Sequence, residues 1–333
     1  MKSLFITIKL ILLLLIFACY QPIRNSRQLQ NQSEEAKLNI FNEVERSILK
    51  LTCSAYYENY YYSAPEKFED IIPQDSLFEE KVFTTNSVAG TGLILSQHGD
   101  NMLILSCHHV FDFDDTLKTY YLDKKKKVTN YLQSISIKYG QTIYVTHKNG
   151  TVSRGKILVQ DEEDDIALIE TQAIENVLSE FPFQGILNSR SKIELGQEVY
   201  VLGFPKGHFL ITKGLASPSK YKGKFIVDIP FNRGFSGGVA IVIDANTGNY
   251  RYIGMANSTA YDSQIVLAPS DAVSNAEIYK TIPYQGDVYV KELKLINHGI
   301  TFVISHDTII DFFKTKESEL IGFGFSNLFN LIK

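Results

Sequence analysis

Gly234-Phe235-Ser236-Gly237-Gly238 runs directly into Val239-Ala240-Ile241-Val242-Ile243, and a turn signal comes next at Asn246-Thr247-Gly248. A serine hydroxyl is a poor nucleophile unless a base takes its proton and donors stabilise the oxyanion its attack creates. Glycines on both sides let the backbone turn sharply, so that Oγ stands exposed and nearby N–H groups converge. G-x-S-G-G by itself also fits any glycine-rich turn. The residues after the serine decide the fold: a β-branched run and then a turn predict a strand and a hairpin, not a helix.

Outward from that strand the pattern repeats. Val88 to Leu95 leads through Gly99-Asp100 to Met102 to Cys107, a hairpin. Gln141 to His147 turns at Asn149-Gly150 into Thr151 to Gln160, the clearest hairpin signal in the chain. Ile166 to Glu170, Glu198 to Leu202, Phe225 to Ile229 and Tyr250 to Met255 read as further strands, and Ile48 to Tyr57 as the first. Residues 58–80 read as a loop, and 172–190 as a more open stretch. Asp307 to Lys314 predicts a helix capped by Asp307 or Thr308. Leu38, Phe41, Val44 and Ile48 recur at helical spacing. Many short strands between turns define an all-β class, barrel or sandwich.

The serine needs an imidazole near neutral pH, and the imidazole needs a carboxylate to fix its tautomer. Ser106-Cys107-His108-His109-Val110 closes one strand, and Asp164-Asp165-Ile166-Ala167-Leu168 begins another. The chain order is histidine, aspartate, serine. A metal hydrolase fits poorly: the histidines are scattered, no H-E-x-x-H occurs, and His108 and His109 would face opposite ways on a strand.

Gly90-Thr91-Gly92-Leu93-Ile94, Leu105 to Val110, Asp165 to Leu168 and Gly234 to Gly238 together resemble the trypsin-like serine peptidases, and among them the bacterial HtrA-type branch. Leu202 to Gly207, Thr212-Lys213-Gly214, Asp228 to Arg233, Ile253-Gly254-Met255 and Gly299 to Phe313 are similar to further segments of that family, in order, across residues 46 to 315. The resemblance implies two six-stranded antiparallel β-barrels with a short C-terminal helix. It implies His109 as general base and acid, Asp165 as its orienter and Ser236 as nucleophile, with the N–H groups of Gly234 and Ser236 as the oxyanion hole. No metal or other cofactor is implied.

The chain departs from that pattern in several places. Phe235 replaces a small polar residue, Arg233 stands where the branch has Pro, and Pro230 rather than an acid precedes the serine by six. The stretch 259–298 is longer than the family's, and it lies where the family builds the wall of its substrate pocket. No PDZ-like segment is expected after the closing helix. HtrA relatives often form trimers, but no motif here establishes an oligomer.

G-x-S-x-G also satisfies the nucleophile elbow of α/β-hydrolases, with Asp271 or Asp287 and His298 or His306 as downstream partners. That fold requires a helix after the serine, and it leaves the His109 and Asp165 motifs unexplained.

Composition agrees with a globular protein. Hydrophobic residues make up 44% of 333 and charged residues 21%, with 19 Tyr, 21 Phe and no Trp. A net charge of −4 gives no reason to expect nucleic acid as partner. The run Lys124 to Lys127 sits in a polar stretch and reads as a solvated loop. Lys2 and Lys9 precede an apolar run from Leu10 to Cys19, too short for a membrane span and suited to a signal. Ile16-Phe17-Ala18-Cys19 resembles a bacterial lipobox, with Cys19 as the lipid anchor; an ordinary cleaved signal is the alternative. Cys53 and Cys107 either pair or lie buried separately.

The expected organisation is a signal over 1–19, a tether and short helix over 20–45, a first barrel over 46–185, and a second barrel with closing helix over 186–333. The expected function is an exported, membrane-tethered serine endopeptidase that binds polypeptides in extended form and cleaves them through an acyl-enzyme. The alternative is a catalytically silent or latent trypsin-like domain acting as a surface-anchored binding module.

Overall fold

Strands dominate because β-branched and aromatic residues recur at alternate positions, the spacing at which a pleated strand buries one face. In a computed structural model, residues 34–62, 80–122, 128–173, 193–244, 249–269 and 288–330 are described. The strands are β1 (Ile48–Tyr61), β2 (Glu80–His98), β3 (Asn101–Ser106), β4 (Thr116–Leu122), β5 (Val128–Thr146), β6 (Val152–Asp161) and β7 (Ile166–Gln172) in the first half. The second half holds β8 (Glu198–Gly203), β9 (Leu210–Pro218), β10 (Lys224–Val227), β11 (Val239–Ile243), β12 (Tyr250–Pro269) and β13 (Val288–Ser305).

Each half closes on itself, and closure leaves no strand edge unpaired within the barrel. In the first, β1 pairs with β2 at Ile48↔Leu93 and with β5 at Lys50↔Thr146. The order β1-β2-β3-β7-β6-β5 is thereby a closed antiparallel barrel, and β4 adds to the distal part of β5. The second barrel runs β10-β13-β12-β11-β8-β9. Leu49, Leu51, Cys53, Ala55 and Tyr57 line one face of β1 and are buried. Val199 and Val201 of β8 fill the second barrel, while Tyr200 and Leu202 on its opposite face join the apolar cluster of the first barrel. That one cluster therefore runs across the junction between the barrels. At about 1.5–3 kcal/mol for each fully buried large apolar side chain, it is what presses the two halves together.

Helix α1 (residues 34–46) leads into β1 but packs on the other barrel: Phe41 lies 5.2 Å from the Tyr200 ring, and the Tyr250 hydroxyl donates to Glu43 at 2.9 Å. Ile40 and Val44 are buried; Leu38, part of the helical spacing, is exposed. At the far end α2 (His306–Thr315) buries Ile309, Ile310, Phe312 and Phe313, and α3 (Glu317–Gly322) and α4 (Asn327–Asn330) come after it. The cap of α2 is Ser305, whose Oγ accepts from Thr308 N–H, and not Asp307 or Thr308. Serine is as good a cap as aspartate, and the helix starts one residue earlier than expected.

Three further differences from the sequence reading concern strands. Glu58 to Tyr61, expected as loop, continue β1, because β5 is long enough to pair with them. β4 and β9 are strands that the sequence pattern does not single out; Thr116, Lys118 and Thr119 of β4 and Lys213 of β9 are exposed. The described parts of 259–298 extend β12 and β13, paired from Tyr261↔Ile296 to Pro269↔Val288, and residues 270–287, with Asp271 and Asp287, lie outside the described residues. The basic run at 124–127, the open stretch at 174–190 and the signal with Cys19 lie outside the described residues.

Candidate active site

The two barrels meet at the residues singled out for chemistry. β3 ends at Ser106, and His108 to Val110 form a 3₁₀ turn in place of the expected strand end. The turn aims His109 into the cleft, with 41% of its side chain exposed, and leaves His108 buried. Asp165 immediately precedes β7 at φ 56°, a left-handed conformation that aspartate tolerates better than most residues. Such strain recurs where neighbouring bonds over-determine a functional position. Here His109 N–H donates to Asp165 Oδ1 at 2.8 Å, His109 Nδ1 lies 2.7 Å from Oδ2, and His108 N–H donates to the Asp165 carbonyl at 3.2 Å. Burial pushes the Asp165 carboxyl upward, but the His109 ring and backbone N–H and the Asn257 amide outweigh it and hold it below the ordinary carboxylate value.

His109 Nε2 lies 2.8 Å from Ser236 Oγ, and Ser236 itself is 7% exposed. The three residues of the sequence reading thus form one hydrogen-bonded chain across the barrel junction. The Ser236 loop is held by backbone geometry that only glycine allows. Gly234 has φ 105° and Gly237 φ 86°, and a Cβ on Gly237 would overlap the Thr91 carbonyl and Ser106 Oγ. Arg233 C=O accepts from Lys206 N–H at 2.9 Å. In a trans peptide, the only kind among the described residues, the following Gly234 N–H points the opposite way. Among the described residues neither Gly234 N–H nor Ser236 N–H is used in a backbone hydrogen bond, so both remain available as donors.

Phe235, whose bulk could have closed the cleft, turns away from it: it is 2% exposed and packs in the second barrel 6.0 Å from the Phe231 ring. Cys53 and Cys107 are buried free thiols. Cys107, His109 and Asp165 bring metal-ligand atom types within 4.8 Å of one another. Burial, chiefly, raises the Cys107 thiol well above its ordinary pKa. Both ring nitrogens of His109 are engaged by Asp165 and Ser236.

Two residues at the site carry roles that the sequence does not announce. Thr91, in the Gly90-Thr91-Gly92 motif, is fully buried and clamps the serine loop. Its N–H donates to Ser236 C=O at 2.7 Å, and its Oγ1 donates to Gly234 C=O at 2.7 Å and accepts from Phe204 N–H at 2.9 Å. Asn257 of β12 is 2% exposed; its Nδ2 donates to Asp165 Oδ2, and its backbone carbonyl accepts from Ser236 Oγ at 3.3 Å. The available signal is polarity out of place: Asn257 ends the apolar run Ile253 to Ala256.

A site with a relay of base, carboxylate and buried hydroxyl beside two free N–H donors can support acyl transfer. A crystal structure of the serine endoprotease from Yersinia pestis is similar at 15% identity, over 82% of this chain and 64% of that one, with a TM-score of 0.42. The chain therefore spans less than two thirds of that protein's length. No curated protein matches the sequence. The family model described as trypsin-like peptidase domain matches residues 90–250, an interval that contains His109, Asp165 and Ser236. This chain carries a trypsin-like peptidase domain.

Proposed function

We propose that this chain is a serine endopeptidase with Ser236 as nucleophile, His109 as base and acid, and Asp165 as the orienter of the imidazole. The observation that carries the reading is the continuous chain Asp165 Oδ2, His109 Nδ1, His109 Nε2, Ser236 Oγ, with steps of 2.7 and 2.8 Å. In the proposed reaction Ser236 Oγ attacks a peptide carbonyl while His109 Nε2 takes its proton. The oxyanion is held by Gly234 and Ser236 N–H, and His109 returns the proton to the leaving amine. Water then hydrolyses the acyl-enzyme by the same route. Substrates are polypeptides bound in extended form, and the protein is exported and tethered through Cys19.

The test uses protein lacking residues 1–19 and a fluorophosphonate probe of activated serines. Labelling of the parent should vanish in Ser236→Ala and fall by about 10³-fold or more in His109→Ala, with circular dichroism unchanged. A well-folded parent that takes no label sinks the constitutively active peptidase and leaves a latent enzyme or a binding module.

A further inference from the structure

Asn257 carries an amide whose two ends face opposite partners. Nδ2 donates to Asp165 Oδ2 and lies 3.8 Å from Cys107 Sγ. Oδ1 accepts from Ser258 Oγ at 2.8 Å and from Lys224 Nζ at 3.2 Å. The two ends of an amide are nearly the same shape, so only its partners fix the orientation. An ammonium can only donate and a carboxylate can only accept. With Lys224 on one side and Asp165 on the other, one orientation satisfies both ends. The flipped one sets oxygen against the Asp165 carboxylate and NH₂ against the ammonium.

We propose that Asn257 and Lys224 are positioning residues of the site: Lys224 fixes the amide of Asn257, and the amide fixes the Asp165 carboxylate against His109. The proposal rests on the peptidase reading for its catalytic consequence, but its geometric core does not. Lys224 belongs to β10 and stands in an open groove with Glu163 and Asp164 from the turn before β7, Asp311 from α2, and Lys220 and Lys222 from the turn before β10. Its ammonium donates to Asn257 Oδ1 at 3.2 Å, while its backbone N–H donates to Tyr221 C=O at 3.3 Å. Asp164 also feels the Lys224 charge: burial, with Asp161 and Glu163 nearby, raises the Asp164 carboxyl, and Lys224 counters that rise. Around Asp165 the facing groups are His109, Asn257 and the Cys107 thiol. The groove is what makes the idea testable, since Lys224 can be changed without cutting a hole in a core.

The experiment compares Lys224→Arg, Lys224→Met, Lys224→Glu and Asn257→Asp with the parent by two readouts. One is the pH profile of acylation; the other is the titration of the His109 ring by NMR, assigned by its loss in His109→Ala. Lys224→Met should slow acylation about 10-fold. Lys224→Glu, which draws the amide NH₂ away from Asp165, should slow it about 100-fold, and Lys224→Arg should stay near the parent. Asn257→Asp sets a second carboxylate beside Asp165, which should move the acid limb and the ring signal together to higher pH. If Asn257→Asp fails to fold, the Lys224 series decides alone. Unchanged ring titration and unchanged rates in Lys224→Met and Lys224→Glu overturn the proposal. If the folded parent takes no label, the peptidase reading falls, and the ring titration still decides whether Lys224 and Asn257 hold the Asp165–His109 pair.

Discussion

The two barrels furnish the site in different ways. His109 and Asp165 belong to one barrel and hold each other, through the ring, the His109 N–H and the neighbouring His108 N–H. Ser236 belongs to the other barrel, yet its loop is shaped from across the junction. Thr91 grips Ser236 C=O and Gly234 C=O, and Gly237 is packed against the Thr91 carbonyl. A pair held mostly within its own barrel, with Asn257 reaching its carboxylate from the other, should largely persist when the Thr91 contacts are disturbed. A loop that borrows its restraints from Thr91 should not. The nucleophile is thus placed from across the junction by Thr91, and the base chiefly by its own barrel.

The sharpest way to break this comparison is Gly237→Ala. Its Cβ would overlap the Thr91 carbonyl, at a φ that side chains avoid. Fluorophosphonate labelling should fall at least about 100-fold as the loop moves, since donors misplaced from an oxyanion lose that much. The low-field proton signal of the His109–Asp165 pair should remain. Loss of that signal together with labelling would show that the pair also depends on the junction. Thr91→Val is milder, because it keeps the shape and removes only Oγ1. Gly234 C=O and Phe204 N–H then lose a buried partner, at about 1–3 kcal/mol. Labelling should slow about 10-fold with the melting temperature lowered, while His109 titrates as in the parent. A normal labelling rate would mean that the backbone bond from Thr91 N–H suffices.

The same division explains how much of the molecule is legible in its sequence. Short-range features are: the Asn149-Gly150 hairpin, the apolar run of β11, and the glycines around Ser236 each declare themselves within a few residues. The chain of His109, Asp165 and Ser236 can be named because their flanks resemble a family. Thr91 and Asn257 escape a sequence reading because their partners lie 143 and 92 positions away, at Gly234 and Asp165, and a lone polar residue carries no mark of a distant partner. The turn at His108 to Val110 is hidden because alternation continues through it. β4 is hidden because a strand laid on the outside of a barrel has no inward face to give it a pattern. Phe235 misleads most, since its size at the serine suggests obstruction; a single-residue step along a tight turn carries it into the second barrel instead.

The smallest expected effect tests whether the first barrel can be weakened without touching the serine loop. His147 comes directly after β5 and is 2% exposed. Its Nε2 lies 2.7 Å from Ser153 Oγ, which lies 2.7 Å from Thr171 Oγ1, so the whole network belongs to the first barrel. Burial lowers its pKa from the ordinary value of 6.5. A buried histidine with a lowered folded pKa stabilises the fold above 6.5. As pH falls below 6.5 the unfolded chain takes up a proton that the folded chain refuses, and that stability is lost until the folded pKa is passed. The parent should therefore melt lower near pH 5.5 than near pH 7.5, and His147→Gln should narrow that gap by about 1–3 °C. Calorimetry at the two pH values gives the difference. If the junction shapes the serine loop independently, His147→Gln leaves the labelling rate at the higher pH unchanged. A slower rate there would mean that strain in the first barrel reaches Ser236, and the division between a self-held pair and a borrowed loop would have to be redrawn around Thr91.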